Sequence, residues 1–600
     1  MKYRREIDGL RALAVIPVIM FHAGFDSFSG GFVGVDIFFV ISGYLITTII
    51  YADLQAGRFS ISKFYERRAR RILPCLYLVM LTSIFLGYFW MMPDEFKNLG
   101  QSIFATTIFS NNILLALTSG YWALASEYKP LLHTWSLGVE EQYYIIFPFI
   151  LIIGWKYFRK YLRATVFFIA LASFLLATWG VAKSPDLAFY LLPTRAWEIL
   201  LGSLTAFYLS NKAPVTGDPA SSDLLSLAGL LLILISIFTF GRNQPAPGIY
   251  ILVPTIGSVL VIAYSSENTF AGKLLGNRFV VGLGLISYSA YLWHQPLFSF
   301  SRIYFVNPPG RNIAAVLIGL TLFIAYLSWK FIETPFRDKS IFSKKTIFYG
   351  SALCSAAFLA AGFYLNNSYG MPVRVFPASV LLGDLDKRIY NERVFDFKKN
   401  RFSDLSKINI LVLGNSTGRD FVNMTSETFD MSNVEMIYHD DFSDCMIPFK
   451  NDTYKNLVEN ADIVVFASGY RKECIKKDVE YSKKNGFELF YSGPKGFGQN
   501  LNWIIRLAPE KQANQFNPVL DETIKLEQEM LAEIPFENYL SLMSGVVKDG
   551  YIPITDEMGL PISTDRVHLT KYGAIYFGKK VLLTSRYGEL LKHSIVRESY

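Results

Sequence analysis

Charge is scarce in this chain of 600 residues. Asp, Glu, Lys and Arg make up 18% of it, against 52% hydrophobic and 16% aromatic residues. Mean hydropathy is +0.28. That balance excludes an ordinary soluble protein and is the composition of an integral membrane protein. Cysteine is also scarce. The four, Cys75, Cys354, Cys445 and Cys474, have no metal-ligand spacing, and no metal is expected. Cys445 and Cys474 are the two in the polar C-terminal part. They close a disulfide if that part is exported; two free thiols are the alternative. The chain lacks a small-x-small cleavage site after its basic start, MKYRR, so the first apolar run reads as an uncleaved span. Repeats and low-complexity tracts are missing as well. The net charge of +8 lies in short clusters between apolar stretches. Those clusters act as topology signals, and no nucleic-acid partner is expected.

Apolar segments recur from 9–26 to 346–365. About 20 apolar residues are needed to cross a bilayer. The weakest candidate, 100–118, contains Gln101, Ser102, Ser110, Asn111 and Asn112. The strongly basic stretches are MKYRR, KFYERRARR (63–71), WKYFRKYLR (155–163) and Arg337–Lys345. All four lie on the cytoplasmic side only if 100–118 does not cross. The expectation is therefore a polytopic α-helical bundle of about eleven spans. The N-terminus is inside and everything after about 366 is outside.

Within the first span, EIDGLRALAVIPVIMFHAGF carries Arg11 and His22. Ionisable groups in lipid are costly and mark function. Eleven residues at about 100° each return His22 to nearly the face of Arg11, about 16 Å along the helix. Asp8 shares that stripe. Asp36, Glu140, Glu141, Arg195, Glu198, His294 and Glu333 recur in or near later spans. Each can instead be a structural ion pair, but the whole set is expensive without a role. Histidine suits general acid–base work near neutral pH. Arginine holds phosphate or carboxylate. Arg67, Arg68, Arg70 and Arg71 either anchor the cytoplasmic face or bind a phosphorylated donor.

The motifs EIDGLRALAVIPVIMFHAG, GGFVGVDIFFVISGYLIT, FYERRARRILP, LLHTWSLGVEEQYY, ISYSAYLWHQP and FIETPFR follow one another over 4–338. In that order they resemble the family-3 membrane acyltransferases. The resemblance implies O-acylation, usually O-acetylation, of envelope carbohydrates from cytoplasmic acetyl-CoA. It places Arg11 and His22 at the family's Arg–His pair. Arg67, Arg68 and Arg71 fall on its arginine motif, and Glu140 and Glu141 on its acidic pair.

After about 366 the apolar runs shorten. Residues 339–405 read as a further span and linker, and 406–600 as an α/β domain. INILVLG (408–414), ADIVVFAS (461–468) and FELFYS (487–492) are buried-strand patterns, with a helical pattern around 519–533. Strands alternating with helices predict a parallel sheet flanked by helices. GNSTGRDF puts Ser416 directly after the first strand, where open α/β sheets bind ligands. STDRVHLTKYGA carries Asp565 and His568 within one turn. A serine, a histidine and an aspartate that orients the imidazole make an activated nucleophile. Over about 406–590 this resembles the SGNH (GDSL-like) fold. The resemblance implies Ser416 as nucleophile, His568 as base and Asp565 as its partner. The chain departs from that pattern in reading Gly414-Asn415-Ser416 and in having no Asn in FASGYRKE. Backbone N–H groups at Ser416 and Gly469 are the oxyanion candidates. A degenerate, glycan-binding form of the domain is the bland alternative.

The two parts together resemble bacterial envelope O-acetyltransferases of the inner membrane. The expected reaction moves acetyl from cytoplasmic acetyl-CoA onto a glycan such as lipopolysaccharide O-antigen. Peptidoglycan is the alternative acceptor. A lipid-carrier transporter and a tethered esterase are the rival classes.

Overall fold

The computed structural model describes residues 3–118, 126–210, 219–241, 244–306, 309–376, 382–385, 387–442, 445–467 and 471–592. The chain divides into two compact units. The first comprises 1–88, 98–302 and 308–367; the second comprises 89–97, 303–307 and 368–600.

The first unit is helical. Among the described residues, seven helical segments are long and apolar enough to cross a bilayer: Gly31–Gln55, Ile61–Trp90, Thr134–Tyr157, Leu162–Lys183, Pro219–Thr239, Arg311–Arg337 and Lys344–Asn367. Three more helices, Arg5–His22, Leu192–Ser210 and Ser287–Tyr304, fall on expected spans, and their charged and polar residues lower their hydropathy. Another expected span holds the shorter apolar helix Ile249–Tyr264. The doubtful segment 100–118 is broken into Pro93–Thr107 and Asn111–Thr118. Phe109, at φ 55°, makes the break. Neither piece reaches the length a span needs.

Bundle packing follows membrane rules, in which small residues let helix backbones meet. The Gly34–Gln55 helix packs on Leu192–Ser210. A Cβ on Gly43 would overlap Ile199 O, and one on Gly202 would overlap Val40 O. Thr47 Oγ1 donates to Ser203 Oγ across the same contact at 2.7 Å.

The second unit holds a five-stranded sheet. Its strands are β1 (Ile408–Gly414), β2 (Val434–His439), β3 (Ile463–Ala467), β4 (Glu488–Ser492) and β6 (Tyr539–Leu540). They run in the order β2-β1-β3-β4-β6 and every pairing is parallel. β5 (Phe516–Pro518) and β7 (Tyr551–Pro553) form a separate antiparallel pair. β1 and β3 are nearly buried along their length, as their apolar runs require. The order reverses between β1 and β3, because the chain leaves β1 for β2 on one side and returns to β3 on the other. Such a switch point opens a crevice at the strands' C-terminal ends.

Cys445 and Cys474 are disulfide-bonded, which decides between the two alternatives for that pair. Asp478, one turn after Cys474, accepts from Met446 N and Ile447 N at 3.2 Å and from Tyr491 Oη at 3.1 Å. Burial pushes its carboxyl above the ordinary range, against those hydrogen bonds. The bridge closes a loop over a separation of 29 residues. In the chain-entropy account, a loop of that size contributes about 3–4 kcal/mol. Cys474→Ser should therefore lower the unfolding midpoint of the second unit in denaturant. An unchanged midpoint would show that the bridge does not support the fold.

Candidate functional site

Five helices of the first unit, Arg5–His22, Gly34–Gln55, Ile61–Trp90, Thr134–Tyr157 and Ser287–Tyr304, surround a cavity of about 90 Å³. Its polar wall includes Arg11, Arg68, Arg71, Glu140, Ser136 and Tyr291. Three guanidinium groups against one carboxylate give the lining an excess of positive charge. Arg11 Nη1 donates to Asp8 Oδ1 at 3.0 Å, and Tyr3 Oη donates to Asp8 Oδ2 at 2.8 Å. Asp8 thus holds Arg11 in place. The Arg68 guanidinium lies 5.8 Å from the Tyr144 ring centroid, and Tyr144 Oη donates to Glu140 Oε2 at 3.2 Å.

The arginine cluster divides by helix face. Arg68 and Arg71, three apart, line the cavity together. Arg67 instead approaches Asp53 at 3.7 Å on the exposed side. Arg70 is structural. It pairs with Glu66 at 3.0 Å and donates to Phe336 O and Phe342 O at 3.1 and 2.8 Å. Asp36 is also drawn away, into a buried cluster. There Arg195 reaches Asp36 at 2.9 Å and Glu198 at 2.7 Å. Glu141 is buried behind the wall.

Beyond Tyr291 lie three imidazoles. Tyr291 Oη bonds Ser136 Oγ at 2.7 Å and donates to His133 O at 3.0 Å. Its ring centroid is 5.3 Å from that of His294 and 5.4 Å from that of His133. His294 in turn lies 5.0 Å from His22 and 5.5 Å from His133, centroid to centroid. His22 Nδ1 is 2.9 Å from Val18 O, and His294 Nδ1 is 2.5 Å from Tyr291 O. A carbonyl only accepts, so both Nδ1 atoms carry the proton and both Nε2 atoms carry the lone pair. The sequence reading singled out His22 and His294 but passed over His133. It stands in LLHTWSLGVEEQYY, seven residues before Glu140.

In the second unit, Ser416 opens the helix Ser416–Thr428 directly after β1. A Cβ on Gly414 would overlap Ala467 O, so the strand end closes tightly on β3. Asn415 Oδ1 caps the helix by accepting from Thr417 N at 3.0 Å. Tyr438 Oη donates to Asn415 O at 3.0 Å, and burial pushes that phenol up. Ser416 is fully buried, and its Oγ has no hydrogen-bond partner among the described residues. His568 Nδ1 meets Asp565 Oδ2 at 2.6 Å, while Asp565 Oδ1 accepts from Val567 N and His568 N at 2.8 and 2.7 Å. The imidazole is therefore oriented with Nε2 turned away from the carboxylate. Asp420, one turn after Ser416, accepts from Leu569 N at 3.3 Å and pairs with Lys495 at 2.7 Å. This buried pair ties the histidine loop to the serine helix, and nothing in its spacing announced it. Gly469, the other oxyanion candidate, lies outside the described residues.

Residues 4–330 match the acyltransferase domain family (acyltransferase 3). The chain belongs to that family. It is 33% identical to a peptidoglycan O-acetyltransferase, OatA, of Listeria monocytogenes, over 56% of each chain. It is 32% identical to a putative O-acetyltransferase of Staphylococcus aureus, over 57% of this chain and 58% of the relative. An uncharacterised Haemophilus influenzae protein is 39% identical over 39% of this chain and 98% of its own length. The chain thus spans somewhat more than half the length of the O-acetyltransferases it matches. No solved structure matches.

Proposed function

We propose that this acyltransferase moves an acetyl group from cytoplasmic acetyl-CoA onto a hydroxyl of an envelope glycan. The observation that carries the reading is the cavity that gathers Arg11, Arg68 and Arg71 next to the Tyr291–Ser136 wall of the histidine group. Arg68 and Arg71 hold the phosphates of the donor, and Arg67, outside the cavity on the same helix, adds to the positive charge that attracts it. Arg11, held by Asp8, stabilises charge that develops on the thioester oxygen. His22, whose Nδ1 is turned to Val18 O, acts as the base. Glu140 balances the guanidinium charge; Glu141 and Asp36 support the bundle. No metal takes part in this scheme.

The second unit finishes the transfer outside. Its Ser416, His568 and Asp565 follow the SGNH pattern, with Ser416 as the acyl-accepting nucleophile. The disulfide supports placing this unit in an oxidising compartment, outside an inner membrane whose cytoplasmic face holds the N-terminus. Lipopolysaccharide O-antigen is the acceptor we favour. Peptidoglycan is the second reading, because the Listeria relative is named for that activity. Protein reconstituted in vesicles and given acetyl-labelled acetyl-CoA should place alkali-labile label in one of these glycans. Arg68→Ala and Arg71→Ala should raise the KM for the donor about tenfold or more. Release of free CoA without any labelled glycan would mean hydrolysis of the thioester instead of transfer.

A further inference from the structure

The second unit buries one ion pair completely. The side chains of Asp420 and Lys495 are both shielded from solvent, and Lys495 Nζ stands 2.7 Å from Asp420 Oδ2. Withdrawing two charges from water costs about as much as their attraction returns, so such a pair is weak evidence for stability. Apolar side chains of similar volume hold a fold equally well. The place of the pair in the fold says what else it does. Asp420 lies one turn after Ser416 on the helix Ser416–Thr428, on the same face. Lys495 comes three residues after β4, as Ser416 comes just after β1. Because these strands run parallel through β3, both residues stand at the C-terminal end of the sheet.

The pair and its flanks meet the histidine loop at two points. Leu569 N, the amide directly after His568, donates to Asp420 Oδ1 at 3.3 Å and to Oδ2 at 3.4 Å. Phe497 N, two residues after Lys495, donates to Arg566 O at 2.9 Å, two residues before His568. Phe497 is itself fully buried, which anchors the segment that carries Lys495. Within the loop, His568 N donates to Asp565 Oδ1 at 2.7 Å, and Ser563 Oγ donates to His568 O at 2.6 Å. Those bonds set the shape of the loop. Asp420 adds a direct bond from the loop to the helix that Ser416 opens, and Lys495 gives the buried carboxylate its countercharge.

We infer that Asp420 and Lys495 are positioning residues of the serine site, which set the reach of His568 toward Ser416. The inference rests on the reading of Ser416 as the acyl-accepting nucleophile. The step it serves is transfer from acetyl-Ser416 to the glycan. A sugar hydroxyl oxygen forms a bond to the acetyl carbon and gives its proton to His568 Nε2. The bond from that carbon to Ser416 Oγ breaks, and its electron pair stays on Oγ. His568 returns the proton to Oγ, so the products are an acetylated sugar and a free serine. The imidazole thus serves two oxygens in turn, each at about 2.6–3.2 Å from Nε2. An error of about 1 Å in such a placement costs about 10²-fold in rate. Asp420 and Lys495 exchange no proton in this step; their effect passes through the loop.

The test uses the full-length protein in vesicles. Labelled acetyl-CoA is supplied first without glycan. Glycan is then added, and loss of acetyl from the peptide containing Ser416 is followed by acid quench. Asp420→Leu/Lys495→Met removes both charges and the acceptor for Leu569 N while keeping the volume. It should slow the loss about tenfold or more. The unfolding midpoint of the second unit in denaturant should stay the same or rise. Asp420→Asn/Lys495→Met is equally neutral but keeps an oxygen for Leu569 N, and should recover most of the rate. Wild-type rates in both double variants would overturn the inference. Slow rates matched by a fallen midpoint in both would overturn it too, because they mark a purely structural pair. Should the first double variant fail to accumulate, Asp420→Glu decides. It keeps the charge but moves the carboxylate by one methylene, so it should also slow the loss; a wild-type rate contradicts the inference. Absence of acetyl on Ser416 in the wild-type protein, with full glycan acetylation by Ser416→Ala, would remove the parent reading and this inference with it.

Discussion

His22→Ala should abolish glycan acetylation while leaving the amount of protein in the membrane unchanged. The expected loss is about 10²–10⁴-fold, the usual range for a positioned acid–base group. Two geometric facts favour the upper part of that range. Val18 O fixes the tautomer that leaves Nε2 as the acceptor, at 2.9 Å from Nδ1. The buried ring of His294 lies 5.0 Å from that of His22, centroid to centroid, so the setting is shaped for an imidazole. His22→Gln should be no better than alanine, since an amide cannot take a proton at neutral pH. The check is labelled acetate released by mild alkali from purified envelope glycan, compared at equal protein level. Acetylation at the wild-type level in His22→Ala would remove this residue from the chemistry.

Ser416→Ala should cut glycan acetylation by roughly 10³-fold or more if the acyl group passes through this hydroxyl. The local geometry supports a nucleophile. The side chain sits at the switch point of the sheet, at the first turn of a helix, with its Oγ unbonded. His568 is already oriented by Asp565 at 2.6 Å. Asp565→Asn should then cost nearly as much, because the amide can hold the imidazole in the wrong tautomer. The step predicts a trappable ester. Protein quenched with acid after mixing with labelled donor should carry acetyl on the peptide that contains Ser416. Full activity in Ser416→Ala would reduce the second unit to a scaffold that presents the glycan.

Much of the architecture was legible in the sequence because membrane spans and buried strands are written in long apolar runs. INILVLG became β1 residue for residue. The asparagine-rich segment 100–118 broke, as its polar content implied. Strand β2, VEMIYH, was overlooked because a glutamate interrupts it; Glu435 is satisfied at the sheet edge by Ser403 and Asp404 N–H groups at 2.8 and 3.0 Å. The site was legible by residue type and less so by partner. The motif held four arginines, but which of them enter the cavity depends on how the Ile61–Trp90 helix is rotated in the bundle. That rotation is set by packing, not by spacing. Asp36 looked like a member of the site until Arg195 claimed it from another helix. His133 carried no local signal, since its significance lies in rings brought together from three separate segments.

The most direct measurement is the mass of envelope glycans from cells with the protein, without it, and with His22→Ala. The account predicts a species heavier by whole acetyl groups, lost on mild alkali, present only with the wild-type protein. Identical glycan masses in all three would contradict it.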